Sequence, residues 1–225
     1  MSEWSETALR IMDAGERLFA RHGFDRTSLR MITSEAGVNL AAVNYHFGSK
    51  EALIHAIFSR FLDEYVAHLR QDLARMRASG QHPDTRVLAS LAGQRVLEIK
   101  PRYKSDLSTL MQLVGQAFTE SREHLRIYLR QRYGDFYTEL MDILREAHPA
   151  LTARERFWRM QFTLGSVMFV MAALPTLRDM EKLETGERSP LRVIFSELEP
   201  FLSAGISASH PDNSAHGHVS TETGH

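Results

Sequence analysis

The sequence predicts an all-α protein, with an N-terminal three-helix helix-turn-helix domain and a larger C-terminal helical body. Three observations carry this. Apolar residues recur at three- and four-residue spacing almost throughout, strand-like alternation is missing, and glycine or proline falls at the breaks in the pattern. At 225 residues the chain is long enough to bury a substantial core.

The elements follow in order. A first helix is predicted over roughly Glu6–His22, with Ile11, Leu18 and Phe19 on one face and Gly23 as its stop. A short helix runs from about Ser28 to Ala36, with Thr27 or Ser28 as N-cap, and Gly37 ends it. Asn39 caps another short helix through Phe47. After Gly48-Ser49 a long helix covers Lys50 to Arg77, and 78–84 is linker-like in composition. Further helices are expected over Thr85–Ile99, Asp106–Ser121 and Glu123–Ala147. Thr152-Ala153-Arg154-Glu155 has the capping-box pattern and opens a helix to about Leu174, which Pro175 ends or kinks. Pro190 suits the first turn of a last helix, reaching about Ala204. Domain boundaries are expected at 1–49 for the head and 50–206 for the body. The stretch 207–225, rich in Ser, His, Gly and Thr, reads as a disordered tail.

Composition narrows the function. The chain is 43% hydrophobic and 24% charged with a net charge of -1, so any attraction to nucleic acid must come from local placement of cations. Cysteine is absent, which removes disulfides, thiolate metal sites and a cysteine nucleophile and fits a reducing cytoplasm. The most apolar stretch, Phe157 to Leu174, is interrupted by Arg159 and Gln161 and reads as a core helix, not a membrane span. The first residues lack the charged-then-apolar pattern of a signal peptide, so a cytoplasmic location and no membrane association are expected.

The segment Thr27–Lys50 carries the functional signal. Two short helices separated by Gly37-Val38 match a helix-turn-helix unit. Leu29, Ile32, Ala36, Val38, Val43 and Phe47 are expected to face inward and fix the interhelical angle. Leu40, Ala41, Ala42 and Asn44 then point outward from a helix that Asn39 opens. Alanines let a helix approach base edges and contact thymine methyls, and Asn44 suits a bidentate bond to adenine. Thr27, Ser28, Arg30, Tyr45, His46 and Lys50 surround that helix as donors suited to phosphate oxygens. The same spacing also fits a plain helical bundle with a solvated cap.

The run Gly37-Val38-Asn39-Leu40-Ala41-Ala42-Val43-Asn44-Tyr45-His46-Phe47-Gly48-Ser49-Lys50-Glu51-Ala52-Leu53 resembles the signature of the TetR family of bacterial transcriptional regulators, and Ala14, Phe19, Gly23, Thr27 and Ile32 match upstream. The resemblance covers about the first quarter of the chain. It implies that Thr27, Tyr45, His46 and Lys50 contact phosphates and that residues 39–45 read bases. At 44 the chain carries Asn in place of the family's usual aromatic, so base contact there is not carried over. A second likeness, through Thr27–Ser34, Phe58–Leu62, Asp106–Ser108, His124–Leu129 and Phe157–Arg159, is to the PsrA-type branch. That branch implies repression of fatty-acid β-oxidation genes, relieved by a long-chain fatty acid or acyl-CoA.

No catalytic pattern stands out in residues 78–205: there is no Gly-x-Ser-x-Gly, His-Glu-x-x-His or phosphate-binding glycine loop. The expectation is a regulator and not an enzyme, with neither cofactor nor metal; the tail histidines His210, His216, His218 and His225 read as solvated. Met111, Phe118, Phe136, Met141, Phe162, Met168, Phe169 and Met171 are expected inside the body, where Met and Phe line an adaptable apolar cavity for an effector. Arg102, Lys104 and Arg122 are candidates for holding its head group. The last two long helices are the expected homodimer contact. Thr163, Gly165, Ser166, Ala172 and Ala173 permit close approach, and Leu191, Ile194, Phe195, Leu198, Phe201 and Leu202 form an apolar stripe.

The function expected is a dimeric repressor of palindromic double-stranded operator DNA, released by a fatty acid or acyl-CoA. Open alternatives are an efflux-type or other-pathway regulator with an aromatic or lactone effector, and an all-helical enzyme or lipid carrier with an incidental helix-turn-helix.

Overall fold

In the computed structural model residues 4–99, 109, 112–115 and 123–208 are described, and every regular element among them is a helix. They are α1 (Glu6–Arg26), α2 (Leu29–Ala36), α3 (Leu40–His46), α4 (Lys50–Ala78), α5 (Thr85–Ile99), α6 (Glu123–Ala147), α7 (Ala153–Ala172), α8 (Leu174–Thr185) and α9 (Leu191–Ser207). Thr109 and 112–115 are helical within the expected 106–121 segment, the rest of which lies outside the described residues. So do 209–225, with the tail histidines.

Local chemistry sets the boundaries. The side chains of Ser5, Ser28, Asn39 and Ser49 each accept a hydrogen bond from the backbone N–H three residues on. Thr152 and Glu155 form the reciprocal capping box. Each such cap is worth about 1 kcal/mol. Gly37 ends α2 at φ 63°, ψ 41°, a left-handed conformation that glycine adopts without strain.

One boundary holds with an addition and one differs from expectation. Gly23 ends the regular run of α1 as expected: at φ 78°, ψ 165° it leaves the helical region and turns the chain, and a short further helical stretch follows to Arg26. This swings Phe24 into the core against Phe19, with ring centroids 5.3 Å apart. Pro175 does not merely end the preceding helix: it stands in the first turn of α8, where its missing N–H costs nothing. α7 and α8 meet at 76°, and 174–185, left without a helix in the sequence reading, is helical. No single helix among the described residues is long and apolar enough to cross a membrane.

α4 belongs to head and body alike. Its first half contributes Leu53, Ile54, Ile57 and Phe58 to a core containing Phe19, Phe24, Ile32 and Val43 from α1–α3, and Leu113 and Leu125 from the body. Its second half contributes Val66, Leu69 and Leu73 to a cluster with Phe136 and Ile143 of α6. Where α1 crosses α4, a Cβ on Gly15 would lie 3.1 Å from Ile57 Cδ1, so the helices approach closely. Arg60 of α4 spans the same crossing, bonding Asp13 at 2.7 Å and Glu16 at 2.6 Å. α9 packs on α5 and α7, closing the far end of the bundle.

Candidate nucleic-acid interface

α2 and α3 are held by their inner faces. Ile32, Thr33 and Ala36 of α2 and Val43 of α3 are buried, with Leu29, Val38 and Phe47 half-buried around them. Arg10 of α1 reaches across to the carbonyls of Ala36 and Gly37, satisfying the C-terminal end of α2 and fixing the turn. Arg17 pairs with Glu35 at 2.9 Å, neutralising that carboxylate on α2. The sequence reading did not find this bracing, because α1 lies too far along the chain for local spacing to show it.

The outer face is free of packing. Asn39, Leu40, Ala41, Asn44 and Tyr45 are exposed on α3, and Ser28 and Arg30 are exposed at the start of α2. Tyr45 is 86% exposed and meets the neighbouring His46 ring edge-on. Asn39 spends its side-chain oxygen on the Ala42 N–H, leaving its amide NH2 to donate outward. Ser28 likewise accepts from Met31, leaving its hydroxyl proton free. His46 and Lys50 are half-buried, the Lys50 Nζ lying 6.0 Å from the centre of the Phe19 ring. Trp4, outside every sequence expectation, stacks on Phe47 at 6.0 Å and ties the N-terminal arm to the end of α3.

Two expected contact residues face the wrong way. Thr27 is fully buried, and its hydroxyl donates to the carbonyls of Leu18 and Gly23. The turn at Gly23 brings Thr27 back over those carbonyls. Ala42 is half-buried against the head core, not pointing out, because Val43 is the centre of the buried arc and Ala42 flanks it.

In the body, Phe136 is buried, while Met141 and Met168 are half-buried. Met111, Phe118, Arg102, Lys104 and Arg122 lie outside the described residues. Phe162 and Phe169 are 65% and 64% exposed, so they do not line an interior cavity of this chain. α7 is apolar around most of its circumference, so periodicity could not select its inward face. Met160 and Met171 go in, whereas Trp158, Phe162, Gly165 and Phe169 share the exposed side. The α9 stripe also divides. Leu191 and Leu202 are buried, Ile194 and Phe195 pack within the chain, and Phe201 and Val193 remain exposed.

Comparison with known proteins matches this division. Residues 11–57 match the model of bacterial regulatory proteins of the tetR family, and residues 94–205 match that of the tetracyclin repressor-like C-terminal domain. Together the two models span well over half of the chain. The chain belongs to the TetR family. Membership makes this TetR-family protein a transcriptional regulator, not an enzyme.

An HTH-type transcriptional regulator of Staphylococcus aureus (strain USA300) is 24% identical to it over 135 residues, 60% of this chain and 67% of the relative. UidR of Escherichia coli (strain K12) is 31% identical over 72 residues, 32% of this chain and 37% of UidR. Among solved structures, the fatty acid degradation regulator FadR from Bacillus halodurans superposes with a TM-score of 0.61 at 15% identity, covering 92% of this regulator and 99% of FadR. FadR from Bacillus subtilis, solved in complex with stearoyl-CoA, gives 0.60 at 14% identity over 88% and 98% of the two chains. At these identities the likeness is one of fold.

Proposed function

We propose that this TetR-family regulator is a cytoplasmic repressor that binds palindromic operator DNA as a homodimer and releases it on binding a long-chain fatty acid or its acyl-CoA. In this reading 1–49 form the reading head, 50–206 form the effector and dimer body, and 207–225 are a tail. The observation that carries it is the unpacked outer face of α3: a strongly exposed tyrosine beside small residues and free amide and hydroxyl donors, on a helix whose inner face is fixed. Such a helix fits a major groove with its small residues against base edges and its polar neighbours on phosphates. Leu40, Ala41 and Asn44 are then the base-facing set. Ser28, Arg30, Asn39, Tyr45, His46 and Lys50 are the positioning set.

The exposed faces of α7 and α9 support dimerisation. Trp158, Phe162, Phe169 and Phe201 are large apolar side chains left half to two-thirds exposed, the kind of residue that marks an interaction surface when grouped. A two-fold partner on this face places two heads on one side of the assembly. The effector class is supported by the FadR folds and by buried Phe136 with half-buried Met141 and Met168 in the body. Effector binding lowers operator affinity only through its preference for one arrangement of the heads.

The test is operator binding titrated with oleate, oleoyl-CoA, an aromatic efflux substrate and a homoserine lactone, alongside native mass spectrometry to count subunits and detect bound lipid. Release by oleate or oleoyl-CoA alone is expected. Release by the aromatic or lactone alone assigns the chain to the other effector class.

A further inference from the structure

His55 on α4 and His124 on α6 face each other where the long helix from the head meets the body, with ring centroids 5.8 Å apart. Tyr128, one turn beyond His124, lies flat on His55 at 3.9 Å, the planes only 3° apart. The Nε2 atoms of both histidines are buried without a hydrogen-bond partner. Elsewhere the α4–α6 seam is held by ion pairs: Asp63 with Arg132 at 2.6 Å, and Glu139 with Arg70 and Arg77 at 3.2 and 3.0 Å. At its head-proximal end it is held by three rings.

Buried nitrogens without partners are a cost that most folded chains avoid. Two imidazoles side by side add a second property. Neutral, they pack; charged, they repel across a poorly solvated contact. Among the described residues, the charges acting on His55 are these. Burial and the His124 ring disfavour its protonated form, while Glu51, one turn earlier on α4, favours it; the balance lies below the ordinary imidazole value of 6.5. On the α1 side of α4, Arg60 is engaged with Asp13 and Glu16. On α6, Tyr128 supplies an aromatic face and no charge.

We propose that the His55–Tyr128–His124 stack is a proton-responsive latch between the DNA-reading head and the effector-binding body. Neutral rings keep α4 seated on α6, and protonation separates them and frees the head. The sign follows from linkage: the closed seam binds fewer protons than the open one, so it is intact above about pH 6.5 and progressively lost below it. Acidification therefore loosens the head from the body. The latch rests on the DNA-binding reading only for its consequence, not for its existence.

The experiment uses the full chain, whose lack of cysteine allows site-specific labelling. Spin labels at Ser34→Cys and Arg130→Cys, both exposed positions, report the head-to-body distance from pH 7.5 to 5.5. Histidine NMR follows His55 in the unlabelled native sequence. The distance distribution is expected to shift or broaden below about pH 6.5, and to stay constant when His55→Gln and His124→Asn are added. Operator affinity of the native-histidine protein should fall by about threefold or more relative to either single variant over the same range. A pH-independent distance, or His55 titrating like free histidine, overturns the latch. If the chain binds no DNA, the affinity comparison is flat for every variant while the distance and NMR readings still decide the latch.

Discussion

Arg60 and Glu16 form a 2.6 Å ion pair at the α1–α4 crossing, with side chains only 8% and 3% exposed. Asp13 completes the set on the solvent side, 19% exposed. An ion pair in such a place is not a net source of stability by itself, but breaking it strands an uncompensated charge. Its geometric effect is to fix the first turns of α4 to α1. Motion that reaches the DNA-reading helix must therefore come from the head and the start of α4 moving together, not from α4 sliding beneath the head.

Arg60→Ala should accordingly destabilise the protein by about 3–5 kcal/mol, read as a fall in the urea midpoint. Arg60→Met with Glu16→Leu and Asp13→Asn should recover much of that loss, since no charge is then left buried.

Thr27 separates two accounts of one residue. Its hydroxyl is buried and donates to Leu18 and Gly23, so Thr27→Val should cost about 1–2 kcal/mol in stability and leave DNA affinity of the folded protein unchanged. A phosphate contact would do the reverse, weakening binding to all duplexes alike while leaving stability near native.

At the interface, Tyr45→Ala and Lys50→Gln should weaken binding to all duplexes and reduce the salt dependence in the lysine case. Asn44→Ala should instead relax preference at a single base pair, by about 1–3 kcal/mol. Quantitative competition with single-base operator variants checks both.

Phe162→Asp places a charge in the centre of the exposed α7 face and should yield a monomer by sedimentation, with operator affinity lost because two heads no longer act together. Trp158, half exposed beside it, should show a red-shifted emission in that variant when Trp4 is replaced by Phe.

The α4–α5 junction sets an acid limit. Asp72 is buried, and hydrogen bonds from Arg95 and Arg75 hold its carboxyl below the ordinary 3.8. A depressed carboxylate contributes stability above its ordinary value and loses it as pH falls through the lower, folded value. Thermal melts between pH 6 and 2.5 should therefore show a steeper acid loss in the native chain than in Asp72→Asn.

Much of the fold was legible because its caps are local. Ser28, Asn39 and the Thr152–Glu155 box announce their helices within four residues, and α5 and α6 fall where spacing put them. What was not legible depended on distance or ambiguity. Thr27 meets its acceptors only because Gly23 bends α1. Arg10 braces Gly37 from 27 residues away. The outward direction of Phe162 and Phe169 cannot be read from a helix apolar on several sides, since which side is covered is decided by α6 and α9. Pro175 signals an interruption in either of two ways, and only packing shows that a new helix begins there.

The central claim is that the outer face of α3 reads DNA. Duplexes should be selected from a random pool, and affinity for the selected sequence compared with that for its shuffled counterpart at matched salt, for the native chain and Tyr45→Ala. The account predicts preference for the selected duplex by about a thousandfold or more, with tight binding lost in the variant. Equal affinity for both duplexes, or unchanged binding by Tyr45→Ala, would contradict it.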